Sequence, residues 1–217
     1  MAWWHAYRDN AGGRRLATLV EPSAEPVTQA EALAHLHLTE NSEAGEVDIC
    51  MAAARSHVEA FSGRRIIAQQ VRQTFDAFPY GKLMTLAASP LMPLSTDHPA
   101  PVIRYHAAGS TGSTGTILPS TSYIVSRDSD PPRIVVKRDG SFPDVELRNA
   151  DGVTVDYWVG YGASSTQVPQ WSRMATLVTG AHFFANREAV ITGTIAGVVP
   201  MSARSLMSQH RSPLAMV

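Results

Sequence analysis

The sequence is short of cysteine, of charge and of long apolar runs, and each shortage excludes a class of protein. A single cysteine, Cys50, stands in 217 residues. One thiol makes no internal disulfide, so a packed core must hold the fold, and a chain of this length can bury one. Cys50 lies in an apolar stretch with no nearby cation to lower its pKa, and is expected as a small core residue in a reducing compartment. Charged residues make up 17% of the chain, against ~25% in a typical soluble domain, and the net charge is -1. A protein that grips DNA carries a basic excess, because Lys and Arg displace condensed counterions; that excess is missing. The longest weakly polar run, ITGTIAGVVPM, is far short of the ~20 residues that span a bilayer. Arg14 and Arg15 are followed by no apolar run of signal-peptide length. The chain is therefore expected to be soluble, made in a cytoplasm and without a membrane partner.

Catalytic signatures are also scarce. HAAGSTGSTGT has Gly109, Gly112 and Gly115 three apart with no lysine after them, so it reads as a hairpin loop and not as a phosphate cradle. Asp128 and Asp130 in RDSDPPR have the spacing of a cation site, but the two prolines that follow favour a turn. His35 and His37 point to different helix faces, one expected solvated and one half-buried. No G-x-S-x-G elbow occurs. His182 and Asn186 are i, i+4 neighbours that can hydrogen-bond, without a nucleophile placed by the sequence. No cofactor, no metal ligand set and no catalytic residue is expected.

What is present is a change of period along the chain. Residues 1–27 read as irregular or extended, ending in the proline-punctuated EPSAEP. Residues 28–63 are helical. Thr28 and Glu31 make a capping box for a short helix over about 29–37. A longer helix over 43–62, with Asn41 or Ser42 as cap, places Val47, Met51, Ala54, Val58 and Phe61 on one face and stops at Gly63. Residues 64–165 form a β-rich insertion: IIAQQVRQTFDAF, PVIRYHA, SYIVS, RIVVKR and VTVDYWVGY are strand-like runs separated by turn clusters. Pro169 restarts helix in 166–192, with Trp171, Met174, Val178, Ala181 and Ala185 toward the core and Arg187 and Glu188 outward. Residues 193–217 are a loop, a short helix in MSARSLMSQHR and a tail. The fold class is α+β, a small helical bundle carrying a β-rich insertion of several hairpins. Arg64 and Arg65 sit just past a helix C-terminus, where cations favour exposed carbonyls; local structure is the first reading, contact with a neighbouring subunit or phosphate the second.

The order of these segments resembles the head–tail connector, or adaptor, proteins of long-tailed bacteriophages and gene transfer agents. The resemblance rests on EPVTQAEALAHLHL, on AAARSHVEAFSGRRIIAQQVRQTFDAFP, on PVIRYHAAG followed by LPSTSYIV, on VDYWVGYG leading into VPQWSRMATLVTGAHFFANRE, and on the closing VPMSARSLMSQHR. It covers about residues 20–212. Family members often show Trp-Pro before the last strands, where this chain has Phe142-Pro143. The resemblance implies a ring, twelve copies in the family, beneath a portal protein. That ring joins the DNA-filled head to a stopper or tail protein, and double-stranded DNA passes through its centre. It implies that the C-terminal segment, with Met201, Arg204, Leu206, Met207, His210 and Arg211, faces the portal. Arg64, Arg65, Arg187 and Glu188 become candidates for contacts between subunits. The alternatives are a DNA-binding accessory protein of particle assembly and, behind it, a hydrolase.

Overall fold

A computed structural model of the chain describes residues 15–38, 43–112, 114–186 and 200–213. The α+β class forms as expected. The chain makes two compact units from interleaved stretches: 1–21 with 69–159, and 22–68 with 160–217. Residues 64–68, read from sequence as the start of the insertion, group with the helices, because Ile66 and Ile67 are fully buried in the helical core.

The sheet unit contains β1 (Arg15–Val20), β2 (Gln69–Phe75), β3 (Leu83–Thr85), β4 (Val102–Tyr105), β5 (Thr116–Ile117), β6 (Tyr123–Ser126), β7 (Arg133–Val136) and β8 (Val153–Val159). One sheet has the order β1-β2-β8-β4-β5, the other β3-β7-β6. Each pairing is antiparallel. Burial alternates residue by residue along β2, as a strand with one face in the core requires. Val71 and Phe75 of β2 join Val153, Val155 and Tyr157 of β8, Ile103 of β4, and Met84, Tyr123 and Ile134 of the second sheet in one apolar cluster. A polar knot lies within it. The Tyr157 hydroxyl donates to Gln73 Oε1 at 2.9 Å and accepts from the Ala88 amide at 3.2 Å. Gln73 Oε1 also accepts from the Ala87 amide at 2.8 Å, so two side chains satisfy backbone groups that a core would otherwise strand.

Within the first 27 residues, read as irregular or extended, Arg15–Val20 is extended and paired. β1 pairs with β2 from Arg15↔Thr74 to Val20↔Gln70, with a bulge between Thr18 and Val20. RLATLV carries a weak alternation because β1 is an edge strand, exposed along nearly its whole length; pairing with β2, rather than burial, makes it a strand.

The helical unit contains α1 (Gln29–His35), α2 (Ala44–Ser62), α3 (Gln170–Ala185) and α4 (Met201–Gln209). The Thr28–Glu31 capping box forms in both directions. His35 and His37 are both exposed, since the buried side of α1 is Ala32. Asn41 and Ser42 lie outside the described residues; Glu43 occupies the cap of α2 without a side-chain hydrogen bond. Val47, Met51, Ala54 and Val58 are buried as the spacing requires, Phe61 is half-buried, and Gly63 ends the helix at φ 68°. Cys50 is half-buried and not a core residue; it stands on the shoulder of that stripe.

The buried face of α3 differs from the expected one. Ser172, Ala175, Thr176, Thr179 and Gly180 are buried, while Met174 and Ala185 are exposed. Trp171 and Val178 are half-buried against the edge of the core. The stripe is made of small residues because α2 comes close. A Cβ on Gly180 would lie 2.5 Å from Met51 Sδ and 3.6 Å from the Ala54 methyl. Two of the three hydroxyls cost little in this setting: Ser172 donates to the Pro169 carbonyl and Thr176 to the Ser172 carbonyl, each at 2.8 Å, while the buried Thr179 Oγ1 has no hydrogen-bond partner. Val58 packs near Ala175, and Val47 and Met51 near Leu177 and Phe184, so α2 and α3 run antiparallel. Arg187, Glu188 and the loop expected before Pro200 lie outside the described residues.

Candidate functional site

Three parts of the stretches that carried the resemblance, VEAFSGR, VGYG and VPMSARSLMSQHR, meet at one end of the helical unit. In VEAFSGR, each residue type has a local task. The Ser62 hydroxyl donates to the Val58 carbonyl at 2.7 Å, and Gly63 takes the left-handed turn. Glu59, 4% exposed, accepts from the Ile66 amide at 2.8 Å and from Arg65 at 3.1 Å, with Arg55 at 3.6 Å. A buried carboxylate held by two cations and an amide is compensated, and it fixes the turn that drives Ile66 and Ile67 into the core. VGYG receives that turn. The Tyr161 amide donates to the Ile66 carbonyl at 3.0 Å and the Ala68 amide to the Gly162 carbonyl at 2.9 Å. Gly160 sits at φ 130°, and a Cβ there would lie 2.7 Å from the Ala68 nitrogen and from the Ile67 carbonyl. Only glycine fits that approach.

VPMSARSLMSQHR closes the end. Ala203 and Met207 of α4 are fully buried with Val58, Ile66, Ile67 and Ala175. Beyond the helix, the Arg64 Nε donates to the His210 carbonyl at 2.6 Å and the Ser212 amide to the Ser62 carbonyl at 2.7 Å. The His210 ring stacks on Trp171 at 4.6 Å, and Tyr161 meets Trp171 edge-on. The guanidinium groups of Arg204 and Arg211 stand over the Phe61 ring at 5.8 and 5.5 Å. The surface so formed is basic and aromatic, with Met201 87% exposed beside it.

The residues singled out from sequence therefore separate. Met207 was expected to face a partner, and is instead a core residue of its own chain. Met201, Arg204, His210 and Arg211 are exposed and Leu206 is half-buried. Arg65 is an ion-pair partner of Glu59, and Arg64 holds the C-terminal segment, so both serve local structure first. His182 is half-buried, with Nδ1 3.2 Å from Asn186 Nδ2. Asp128 and Asp130 are exposed in a turn. Among the described residues no group of three or more His, Cys, Asp or Glu could hold a metal ion, and no helix is long and apolar enough to cross a membrane.

Two features of the sheet unit were not read from sequence. Asp156, 7% exposed, takes both ends of Arg72 at 2.6 and 2.8 Å and Arg104 at 2.6 Å. The register places Arg72 opposite Asp156 and Arg104 opposite Thr154, which stretches of alternating residues reveal only once strand partners are known. His106 is 2% exposed and its Nδ1 has no hydrogen-bond partner. Burial lowers its pKa, and the positive charges of Arg148 and Arg72 push the same way. The Gly/Ser/Thr loop links the antiparallel β4 and β5 as a hairpin, and at its far end a Cβ on Gly115 would come within 2.9 Å of His106 Nε2.

Matches over about nine-tenths of the chain appear among solved structures. A chain in the neck of an empty GTA particle, reconstructed with C6 symmetry, superposes with a TM-score of 0.73 at 19% identity, over 91% of this chain and 95% of that chain. The fold is that of a GTA neck chain. A chain from the virion of a native gene transfer agent (GTA) particle gives 0.72 at 19% identity, over 91% and 95%. Another, from the neck of a native GTA particle computed with C12 symmetry, gives 0.67 at 20% identity, over 92% and 94%. No protein-family model matches the chain, and no curated protein sequence does.

Proposed function

We propose that the chain is a structural head–tail connector (adaptor) subunit of a phage or gene transfer agent particle. Twelve copies form a ring in the neck, below the portal, and join the DNA-filled head to a stopper or tail protein. Double-stranded DNA passes through the ring without sequence-specific binding. The observation that carries this reading is the likeness to particle-neck chains over about nine-tenths of both chains, through the helical and the sheet unit alike. The electrostatics agree with it. Net charge is -1, and Arg55, Arg65, Arg72, Arg104 and Arg173 are bound to carboxylates of the same chain; a conduit with free cations would slow the DNA it must release. On this reading the role is one of assembly and not of bond-making. Within residues 193–217, the half-buried Leu206 is offered to the portal while Met207 anchors its helix and the exposed Met201 stands with Arg204 and Arg211. Arg204, His210 and Arg211 are turned onto Phe61 and Trp171 and receive a different neighbour below.

The test is imaging of particles made with and without the chain. Its removal should leave DNA-filled heads that lack tails, and complete particles should hold twelve copies at the neck. Complete, tailed particles that contain no copy of it would overturn the proposal.

A further inference from the structure

The helical unit sorts its charge by ends. No Lys or Arg occurs between Arg15 and Arg55, a stretch that carries Glu21, Glu25, Glu31, Glu40, Glu43, Glu46 and Asp48. Glu25 and Glu31 are bound within the unit, to Arg55 and Arg173. Glu43, Glu46 and Asp48 stand at the N-terminal end of α2, where Asp48 Oδ2 also accepts from Gln29 Nε2 at 2.7 Å, and beside them Ile49 is 72% exposed. The other end of α2, roughly 20 Å away at the rise of an α-helix, carries the basic surface of Arg64, Arg204, His210 and Arg211 around Phe61. Among the described residues no carboxylate lies within ion-pair distance of Arg204 or Arg211. An acidic first turn favours the helix dipole, which accounts for the carboxylates. It does not account for an isoleucine standing in water among them, nor for two arginines that share an aromatic ring and no acid.

We propose that the basic end of one copy, Phe61 with Met201, Arg204 and Arg211, docks on the acidic end of the next copy, Glu43, Glu46 and Asp48 around Ile49. This rests on the ring reading above and adds the faces that close it. The two ends are different surfaces of one subunit, as a head-to-tail contact in a ring requires. Their charges are opposite, and each offers an apolar knob, Ile49 and Met201, inside a charged rim. Arginine, methionine and aromatic side chains are the types enriched in such interfaces.

Cysteine pairs test it in assembled particles. In a Cys50→Ser background, Ile49→Cys with Met201→Cys, or Asp48→Cys with Arg204→Cys, is oxidised and run on a non-reducing gel. A disulfide needs Cα atoms within about 7 Å, so two ends roughly 20 Å apart along a helix cannot bond within one chain. The expected result is a ladder of multimers. Monomers alone, from necks that contain the chain, overturn the proposal and leave the ring reading intact; necks without the chain defeat the ring reading itself. A charge exchange gives a second measurement. Arg204→Glu/Arg211→Glu and Glu46→Lys/Asp48→Lys, each folded by circular dichroism, should each lower the yield of tailed particles by on the order of a hundredfold. Expressed together, they should restore it as an alternating ring. If the arginines instead meet portal carboxylates or DNA phosphates, the first variant fails and the second does not rescue it, which overturns the proposal.

Discussion

Met207→Ala asks whether the C-terminal helix is held by its own chain before any partner arrives. Met207 is fully buried with Val58, Ile66, Ile67, Ala175 and Ala203. Truncation removes three heavy atoms from a filled site, and Met→Ala changes in cores cost about 2–5 kcal/mol. Alanine returns a few tenths as the better helix former, so about 2–4 kcal/mol remains. With a urea m-value of about 2 kcal/mol per molar for a unit of this size, the midpoint should fall by about 1–2 M. The assay is urea unfolding followed at 222 nm, where α1 to α4 supply the signal. Met201→Ala is the control: at 87% exposure it should change stability by less than about 0.5 kcal/mol. The same reasoning bears on truncation. Removing 201–217 takes Ala203 and Met207 out of the core, so it should destabilise the helical unit as well as any docking function. If Met207→Ala is as neutral as Met201→Ala in the isolated chain, α4 is not docked there and the burial argument fails.

Three further outcomes follow from single contacts. Gly160→Ala forces a Cβ against the Ile67–Ala68 backbone at a positive φ and should cost about 3 kcal/mol or more, read as a lower thermal midpoint. Tyr157→Phe deletes the donor to Gln73 and the acceptor of the buried Ala88 amide. It should cost about 1–2 kcal/mol and speed hydrogen exchange at Ala88; unchanged exchange there would refute the knot. His106 is held neutral by burial, with its pKa below the ordinary 6.5. Its unfolded form takes up a proton first, so the stability it contributes is complete above about pH 6.5 and is lost as pH falls through the lowered folded value. His106→Gln should flatten that slope relative to the wild type. The comparison cancels carboxylate contributions such as that of Glu25, whose raised pKa acts in the opposite sense.

The parts of the fold legible in the sequence are those written in local code. Thr28 and Glu31 announce a helix start, Gly63 a helix stop, and Val47, Met51, Ala54 and Val58 a buried face, because each signal lies within a turn or two of its effect. The buried face of α3 was hidden for a physical reason. A hydropathy pattern seeks large apolar side chains, and it selects Met174 and Ala185, which are exposed. The close approach of α2 instead selects for absence of bulk, and Ser172, Thr176 and Gly180 look like a polar side until the Ser172 and Thr176 hydroxyls are seen bonded to carbonyls of the preceding turn. Edge strand β1 was hidden by the opposite circumstance: its partner, β2, lies nearly fifty residues on, and nothing in RLATLV itself encodes the pairing.

The candidate site was half legible, and the division has one cause. VEAFSGR, VGYG and VPMSARSLMSQHR look weak singly because each supplies one side of a contact. Glu59 has meaning only once Ile66 needs an acceptor for its amide, Gly160 only once the Ile67–Ala68 backbone passes within 2.7 Å of a Cβ it does not have, and Met207 only once those turns have opened a core site. Met201 and Met207 are the sharpest instance. Both are methionines on one short helix, so composition assigns them alike to a partner-binding surface. Six residues make about one and two-thirds turns of an α-helix, not a whole number of them. That remainder turns Met207 inward onto Val58 and Ile66, and leaves Met201 to the solvent or to a neighbour.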